Sequence, residues 1–317
     1  MRSITSMIPQ PKNRNIIGPN VDLAARAQLG REALQQCRLC PRDCGVDRSH
    51  GRQGAFCRLD ARAWVYKELL SLGEEAAIGP TMLVDLGGCS LRCLFCSEWQ
   101  NVAHPQQYGA VELDGAWLAA RMAKRKAQGA KTVSFVGGDP TPSLPAVLHA
   151  LTQCREHLPI VWNCNGLIGD PAAALLNGLV ATWIIDLKFG NPQCAERLAG
   201  VRSLDYAQQI ERSFQLAQQT RPVGDLPVLV VRHLLMPGHE MCCTAPVLQG
   251  LAARLPAPAQ VNLMTGYVPP QQTMNVRKHK ELQDWNNAAD IARTVDLARS
   301  LLGARLLVDG APPPPVC

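Results

Sequence analysis

The chain has 317 residues, 47% of them hydrophobic, and a formal net charge of +6. That apolar share excludes disorder as a description of the whole chain and suits one large α/β domain or two ordinary ones. No apolar run reaches ~18 residues, Lys and Arg are scattered and aromatics are only 5%, so neither a transmembrane helix nor a nucleic-acid surface is expected.

Residues 1–20 are rich in Pro, Asn and basic residues without a period and are expected to form a flexible arm. They lack the apolar core of about 7–15 residues that marks a secretory signal. Residues 21–36 predict a short amphipathic helix, the start of an N-terminal segment (21–79) that carries four cysteines. From about residue 80, short apolar, β-branched runs alternate with helix-period segments. Strands are predicted at 82–86, 132–136, 160–163, 183–187, 228–235, 260–264 and 305–308. Helices are predicted between them at 113–128, 143–157, 172–179, 204–219, 245–254 and 288–302. Such alternation describes βα units around a parallel sheet, so the expected class is α/β: a full or partial (β/α) barrel over 80–310. The tail 311–317, with four consecutive prolines, is expected to be extended and flexible.

The 13 cysteines are grouped rather than spread. An odd total without an export signal argues against a disulfide framework and for metal-binding thiols in a reducing compartment, hence a cytoplasmic protein. The strongest signal is Gly87-Gly88-Cys89-Ser90-Leu91-Arg92-Cys93-Leu94-Phe95-Cys96, which follows the strand predicted at 82–86. The two glycines permit a sharp turn and close backbone approach. Three thiolates suit a [4Fe–4S] cluster with one iron left open, because an ordinary ferredoxin cluster uses four. A structural zinc site would also want four. The second group, Cys37, Cys40, Cys44 and Cys57, supplies four ligands and can close either zinc or a fully ligated [4Fe–4S] cluster. Three ligands together and one remote favour the second cluster over the paired arms of a zinc site.

With these motifs the sequence resembles the radical S-adenosylmethionine (SAM) superfamily, whose signature is the Cys-x3-Cys-x2-Cys loop with an aromatic residue before the third cysteine. Gly137-Gly138-Asp139-Pro140 follows the second predicted strand, where that family holds the amino group of SAM. Within the superfamily the chain looks like the pyruvate formate-lyase activating enzyme-like (PflX-type) proteins. The resemblance spans about Cys37 to Val308 and includes Cys37-Arg-Leu-Cys-Pro-Arg-Asp-Cys, Gly73-Glu74-Glu75, Asn163-Cys164-Asn165-Gly166, Asp186-Leu187-Lys188 and Arg232-His233-Leu234-Leu235-Met236-Pro237-Gly238. Several of these fall at predicted strand ends, where the functional loops of an α/β barrel sit.

The resemblance implies that one electron passes from a reduced [4Fe–4S] cluster into the sulfonium of SAM, breaks a C–S bond and starts radical chemistry. It implies Cys89, Cys93 and Cys96 as cluster ligands and Gly137, Gly138, Asp139, Asn165, Asp186, Lys188 and Arg232 as SAM contacts. Lys188 and Arg232 are expected near the methionine carboxylate. A flavodoxin- or ferredoxin-type electron donor and a protein or small-molecule substrate are implied as partners. Asn163 stands where activases often carry Asp, the carboxylate of a monovalent-cation site.

Three further thiols are not required by the resemblance. Cys164 is expected at the mouth of the site. Cys242-Cys243 suits capture of a soft electrophile such as arsenite, with His239 and Cys317 able to join. That would make transfer of the 3-amino-3-carboxypropyl group of SAM an alternative to hydrogen abstraction, and Cys164, Cys242 and Cys243 the catalytic candidates. A non-enzymatic iron–sulfur electron carrier is the reading from a different class; it leaves the three-ligand loop unexplained.

Overall fold

The computed structural model describes residues 21–73, 75–201, 205–255, 258–275 and 277–313. The expected arm, residues 314–317 with Cys317, and Glu74 lie outside the described residues. Among the described residues, no helix is long and apolar enough to cross a membrane.

Helix α1 (Leu23–Ala33) is capped by Asp22, whose carboxylate accepts from Ala25 N. It packs on α4 (Leu144–Thr152) and α5 (Asp170–Leu176). Gly30 makes the contact close, since a Cβ there would lie 3.3 Å from Pro145 Cα. Strand β1 (Trp64–Ser71) follows and runs antiparallel to β2 (Thr81–Leu86) on one side and to β3 (Val111–Glu112) on the other. The sequence pattern predicted no strand at 64–71. Charged Lys67 and Glu68 sit mid-strand, and the βα alternation begins only after it.

The seven predicted strands are all present. They are β2, β4 (Thr132–Gly137), β5 (Ile160–Cys164), β6 (Val180–Asp186), β7 (Leu229–Leu234), β8 (Gln260–Met264) and β9 (Leu306–Val308), adjacent in that order and parallel throughout. With β1 and β3 they form a nine-stranded sheet whose pairing runs from β3 at one edge to β9 at the other. This is the expected α/β class in its partial-barrel form. The tail begins tied down rather than free, since Val308 and Ala311 exchange backbone hydrogen bonds.

Strand alternation sorts the side chains onto two faces. Phe135, Trp162 and Trp183 face outward and join Leu118, Leu148 and Leu248 of the covering helices in one core. On the concave face, Ile78, Val161, Ile184 and Val230 make a small apolar floor, beside buried Ser134, Asn163, Thr182 and Asn262. Leu34, Cys37 and Leu39 of the N-terminal segment belong to the same main core.

Two helices were not expected: α2 (Trp99–Ala103) and α6 (Pro192–Ala199). The second begins with an Asn191 cap and Pro192 in its first turn and ends on Gly200 in the left-handed conformation. Those are ordinary start and stop signals, here compressed into eight helical residues. The remaining helices are α3 (Gly115–Ala127), α7 (Tyr206–Gln218), α8 (Ala245–Arg254) and α9 (Ala288–Leu302).

Candidate active site

The cysteine loop leaves the C-terminal end of β2. Gly88 has φ +80°, and a Cβ there would stand 2.9 Å from Cys57 O and 2.7 Å from the Leu59 side chain. Only glycine lets the loop fold back this tightly against the N-terminal segment. Gly137 and Gly138, after β4, meet the same constraint: added Cβ atoms would lie 2.2 Å from Leu86 N and 2.1 Å from Gly88 O. Two backbone amides complete the junction, Gly138 N donating to Leu86 O (2.8 Å) and Asp139 N to Gly88 O (3.0 Å).

One cleft opens across four successive strand ends. Its wall takes Cys89, Cys93 and Cys96 from the loop after β2, Gly137 and Gly138 after β4, Cys164 and Asn165 at the end of β5, and Asp186 and Lys188 at the end of β6. Phe95 is buried edge-on against Phe189, with ring centroids 5.9 Å apart. Phe189 in turn meets Tyr206 edge-to-face at 5.7 Å between centroids.

Burial dominates the electrostatics of the three loop thiols. It pushes Cys89 well above the ordinary thiol value and Cys93 up to about 12, with Lys188 opposing the shift at Cys93. Cys96 is also raised by burial, against a backbone hydrogen bond from Glu98. Three such thiols become thiolates together only when a cationic group takes them, so the soft donor set fits a cluster. Burial acts to lower the Lys188 ammonium, but Asp186 and Cys93 outweigh it and hold its pKa above the ordinary value. Lys188 Nζ lies 2.8 Å from Asp186 Oδ2, which uses one of its three protons. The glycine-lined wall and this cation beside it fit the carboxylate end of an amino acid.

Two expected contacts are turned elsewhere. Asp139 is 1% exposed and sits behind the cysteine loop. It accepts from Ser90 Oγ at 2.8 Å and from Thr141 Oγ1 at 3.2 Å. Asn165 Nδ2 in turn donates to Ser90 Oγ at 2.9 Å. Burial pushes the Asp139 carboxyl up to about 6, against these hydrogen bonds. Asp139 thus braces the wall from behind, with Ser90, a partner that spacing alone did not single out. Arg232, at the end of β7, donates to Glu75 through Nε (2.8 Å) and Nη2 (2.7 Å). Asn262 donates to the same carboxylate at 2.8 Å. This bidentate pair faces the concave floor together with Asp85, Ser134 and Asn163 rather than the cleft wall.

The N-terminal segment that carries the four cysteines abuts the loop. Arg42 Nε donates to Ser90 O at 2.8 Å, and Phe56 is sandwiched between Arg42 (3.9 Å) and Arg92 (4.2 Å). Arg92 also donates to Phe56 O. Buried Arg48 donates to Leu59 O (3.0 Å), Asp60 O (2.8 Å), Pro142 O (2.9 Å) and Cys37 Sγ (3.4 Å). The segment is positioned by both the cysteine loop and the loop after β4.

Cys242 and Cys243 are not on the cleft wall. They lie with Cys194 and His239 beyond the ends of β6 and β7.

Residues 83–246, just over half of the chain, match the family model of the radical SAM superfamily. An uncharacterized protein of Methanocaldococcus jannaschii is 31% identical over 294 residues, covering 89% of this chain and 79% of that one. The chain belongs to the radical SAM superfamily. Among solved structures it is similar to SuiB of Streptococcus suis bound to its precursor peptide SuiA, at a TM-score of 0.48 and 16% identity over 69% of this chain. A second is the radical SAM methyltransferase TsrM of Kitasatospora setae, at a TM-score of 0.40 and 18% identity over 59% of this chain. The chain spans 46% and 36% of those two structures.

Proposed function

We propose that the protein is a radical SAM enzyme that holds a [4Fe–4S] cluster through Cys89, Cys93 and Cys96 and modifies a protein or small-molecule substrate through a radical. The observation that carries this is the convergence of those thiols with Gly137, Gly138 and the Lys188–Asp186 pair on one cleft. When bound, the cluster and SAM together supply the one-electron cleavage of a C–S bond.

The chain's own residues bind and orient. Cys89, Cys93 and Cys96 would hold the cluster, and a three-ligand set would leave it able to bind a chelating ligand. Lys188 offers its remaining protons to a carboxylate in a largely buried place, where a charge-assisted hydrogen bond is strong. Gly137 and Gly138 leave room for a ligand against bare backbone. Phe95 and Phe189 keep water from the back of the loop. Cys37, Cys40, Cys44 and Cys57, in the segment beside the loop, would hold a second [4Fe–4S] cluster in this reading, which would supply an electron relay from a flavodoxin- or ferredoxin-type donor. The activase-like assignment rests on the motifs from Cys37 to Gly238.

The test is anaerobic reconstitution followed by reduction and addition of SAM. 5′-Deoxyadenosine is expected, and methylthioadenosine in its place marks group transfer. Wild-type protein that makes neither, or a Cys89→Ala/Cys93→Ala/Cys96→Ala variant that makes either, overturns the reading.

A further inference from the structure

Cys194, His239, Cys242 and Cys243 offer four ligand atoms that all lie within 4.8 Å of one another. We propose that they form a closed site for one resident zinc ion, with three thiolates and His239 Nδ1 as its ligands. The inference stands on these residues and does not depend on the chemistry of the cleft.

The distances among Cys194, His239 and Cys242 match three edges of a tetrahedron, and Cys243 Sγ lies within 4.8 Å of each of these donors. With Zn–S of about 2.3 Å and Zn–N of about 2.0–2.1 Å, tetrahedral edges are about 3.8 Å between sulfurs and about 3.5 Å between sulfur and nitrogen. Cys194 Sγ lies 3.7 Å from Cys242 Sγ. His239 Nδ1 lies 3.2 Å from Cys242 Sγ and 3.7 Å from Cys194 Sγ.

Local sequence explains the convergence. His239-Glu-Met-Cys242-Cys243 places donors at i, i+3 and i+4, one face of a helical turn. The turn is a π-helix (Glu240–Thr244), and His239 O accepts from both Cys243 N (3.0 Å) and Thr244 N (3.2 Å). The fourth donor, Cys194, sits in the first turn of α6, which follows the neighbouring strand β6. Asn191 caps α6 by accepting from Cys194 N (2.8 Å) and donates to Cys242 O (2.5 Å), so one side chain sets both loops. A Cβ at Gly190 would stand 2.3 Å from Cys243 O, so glycine is required there for the loops to meet.

The surroundings also suit a metal. Glu281 Oε1 lies 3.4 Å from His239 Nε2 and 3.1 Å from His279 Nδ1. A carboxylate behind the second nitrogen of a ligating histidine is the usual support for such a ligand. Three thiolates and Zn²⁺ sum to one negative charge, faced by Arg197 Nη2 at 3.8 Å from Cys194 Sγ. Binding sends three thiol protons to solvent and leaves His239 neutral, its Nε2–H toward Glu281. Four protein donors leave no open position, which marks a structural site rather than one that takes a reactant.

The site is a positioning device. Helix α6 starts in it and ends under the cysteine loop, where Leu198 O and Ala199 O accept from Leu94 N (2.8 Å) and Arg92 N (3.1 Å). The ion would tie the Lys188 loop to the β7 loop and fix the helix on which the cysteine loop rests.

The experiment is metal analysis and zinc K-edge absorption on the full chain, purified anaerobically. One zinc per chain is expected, with three sulfurs at about 2.3 Å and one nitrogen at about 2.0–2.1 Å. Cys242→Ser and Cys194→Ser should each lower zinc about tenfold or more while iron and the far-ultraviolet circular dichroism persist. His239→Cys should keep the zinc and convert its shell to four sulfurs, which guards against reading misfolding as ligand loss. The proposal is overturned by protein that takes up no zinc even from added zinc chloride. It is equally overturned by zinc that survives Cys242→Ser in a four-sulfur shell, which would place it at the N-terminal cysteines. Arsenite held by Cys194, Cys242 and Cys243 in zinc-free native protein would also overturn it, in favour of a reactant site.

Discussion

Two sulfur sites lie at opposite ends of α6, a rod about 12 Å long, and differ in how they are closed. The cysteine loop after β2 presents three thiols on a cleft wall, with glycines opposite and a lysine beside them. The cluster beyond β6 and β7 presents three thiols and an imidazole to one another, with Cys194 and Cys243 almost without exposure. In the proposed readings the first arrangement would keep a coordination position for a ligand, and the second would spend every position on the protein. The count of donors and the direction they face, rather than the presence of cysteine, separate a reactive site from a fastening.

The comparison breaks most completely at the cleft. Replacing Cys89, Cys93 and Cys96 together with Ala should abolish SAM cleavage. Iron should fall by about half, from about eight per chain, if the N-terminal thiols also hold a cubane; iron analysis after reconstitution decides. Next in size is Arg232→Met, which leaves Glu75 buried without its bidentate partner. A loss of about 3–5 kcal/mol in unfolding free energy is expected, read by denaturant titration.

Lys188→Ala removes one cation from the cleft wall and should weaken SAM binding by about 1.5–3 kcal/mol, roughly 10–150-fold. The cluster absorption should persist, and equilibrium dialysis against labelled SAM measures the change. At the closed site, Glu281→Gln keeps the ligands but weakens the support behind His239. Zinc affinity should fall about tenfold or somewhat more, read by competition with a chelator.

A further effect is on pH dependence. Burial lowers His233 to about 4. Its Nδ1 lies 2.6 Å from Leu187 O and its Nε2 2.9 Å from Thr244 Oγ1, so the neutral ring donates to the carbonyl and accepts from the hydroxyl. Unfolded, it takes a proton near pH 6.5; the folded protein therefore loses this stabilisation as pH falls from about 6.5 toward 4. His233→Gln should flatten that part of the stability profile by at most about 1.4 kcal/mol per pH unit, measured by chemical denaturation at several pH values.

The parallel strands and the cysteine loop were legible in the sequence because their information is local. A buried strand writes itself as a short β-branched run, and Cys89, Cys93 and Cys96 lie within eight residues of one another. Strand β1 was not legible, because an antiparallel partner is specified by pairing with β2 and β3 rather than by the βα rhythm. Asp139 and Arg232 were placed at the right strand ends, but neither spacing nor resemblance specifies what a side chain meets there. Ser90 and Thr141 hold the first, and Glu75, 157 residues away, holds the second.

His239, Cys242 and Cys243 stood out as a soft-ligand group in the sequence, but Cys194 carried no motif of its own, and nothing in the spacing placed it with them. Their meeting depends on β6 and β7 being neighbours and on Gly190 and Asn191 letting two loops touch. Residue identity and short-range spacing determined which atoms can bind a metal. Strand adjacency in the sheet decided which of them share a site, because only packing brings donors 45 residues apart to within a bond's reach of one ion.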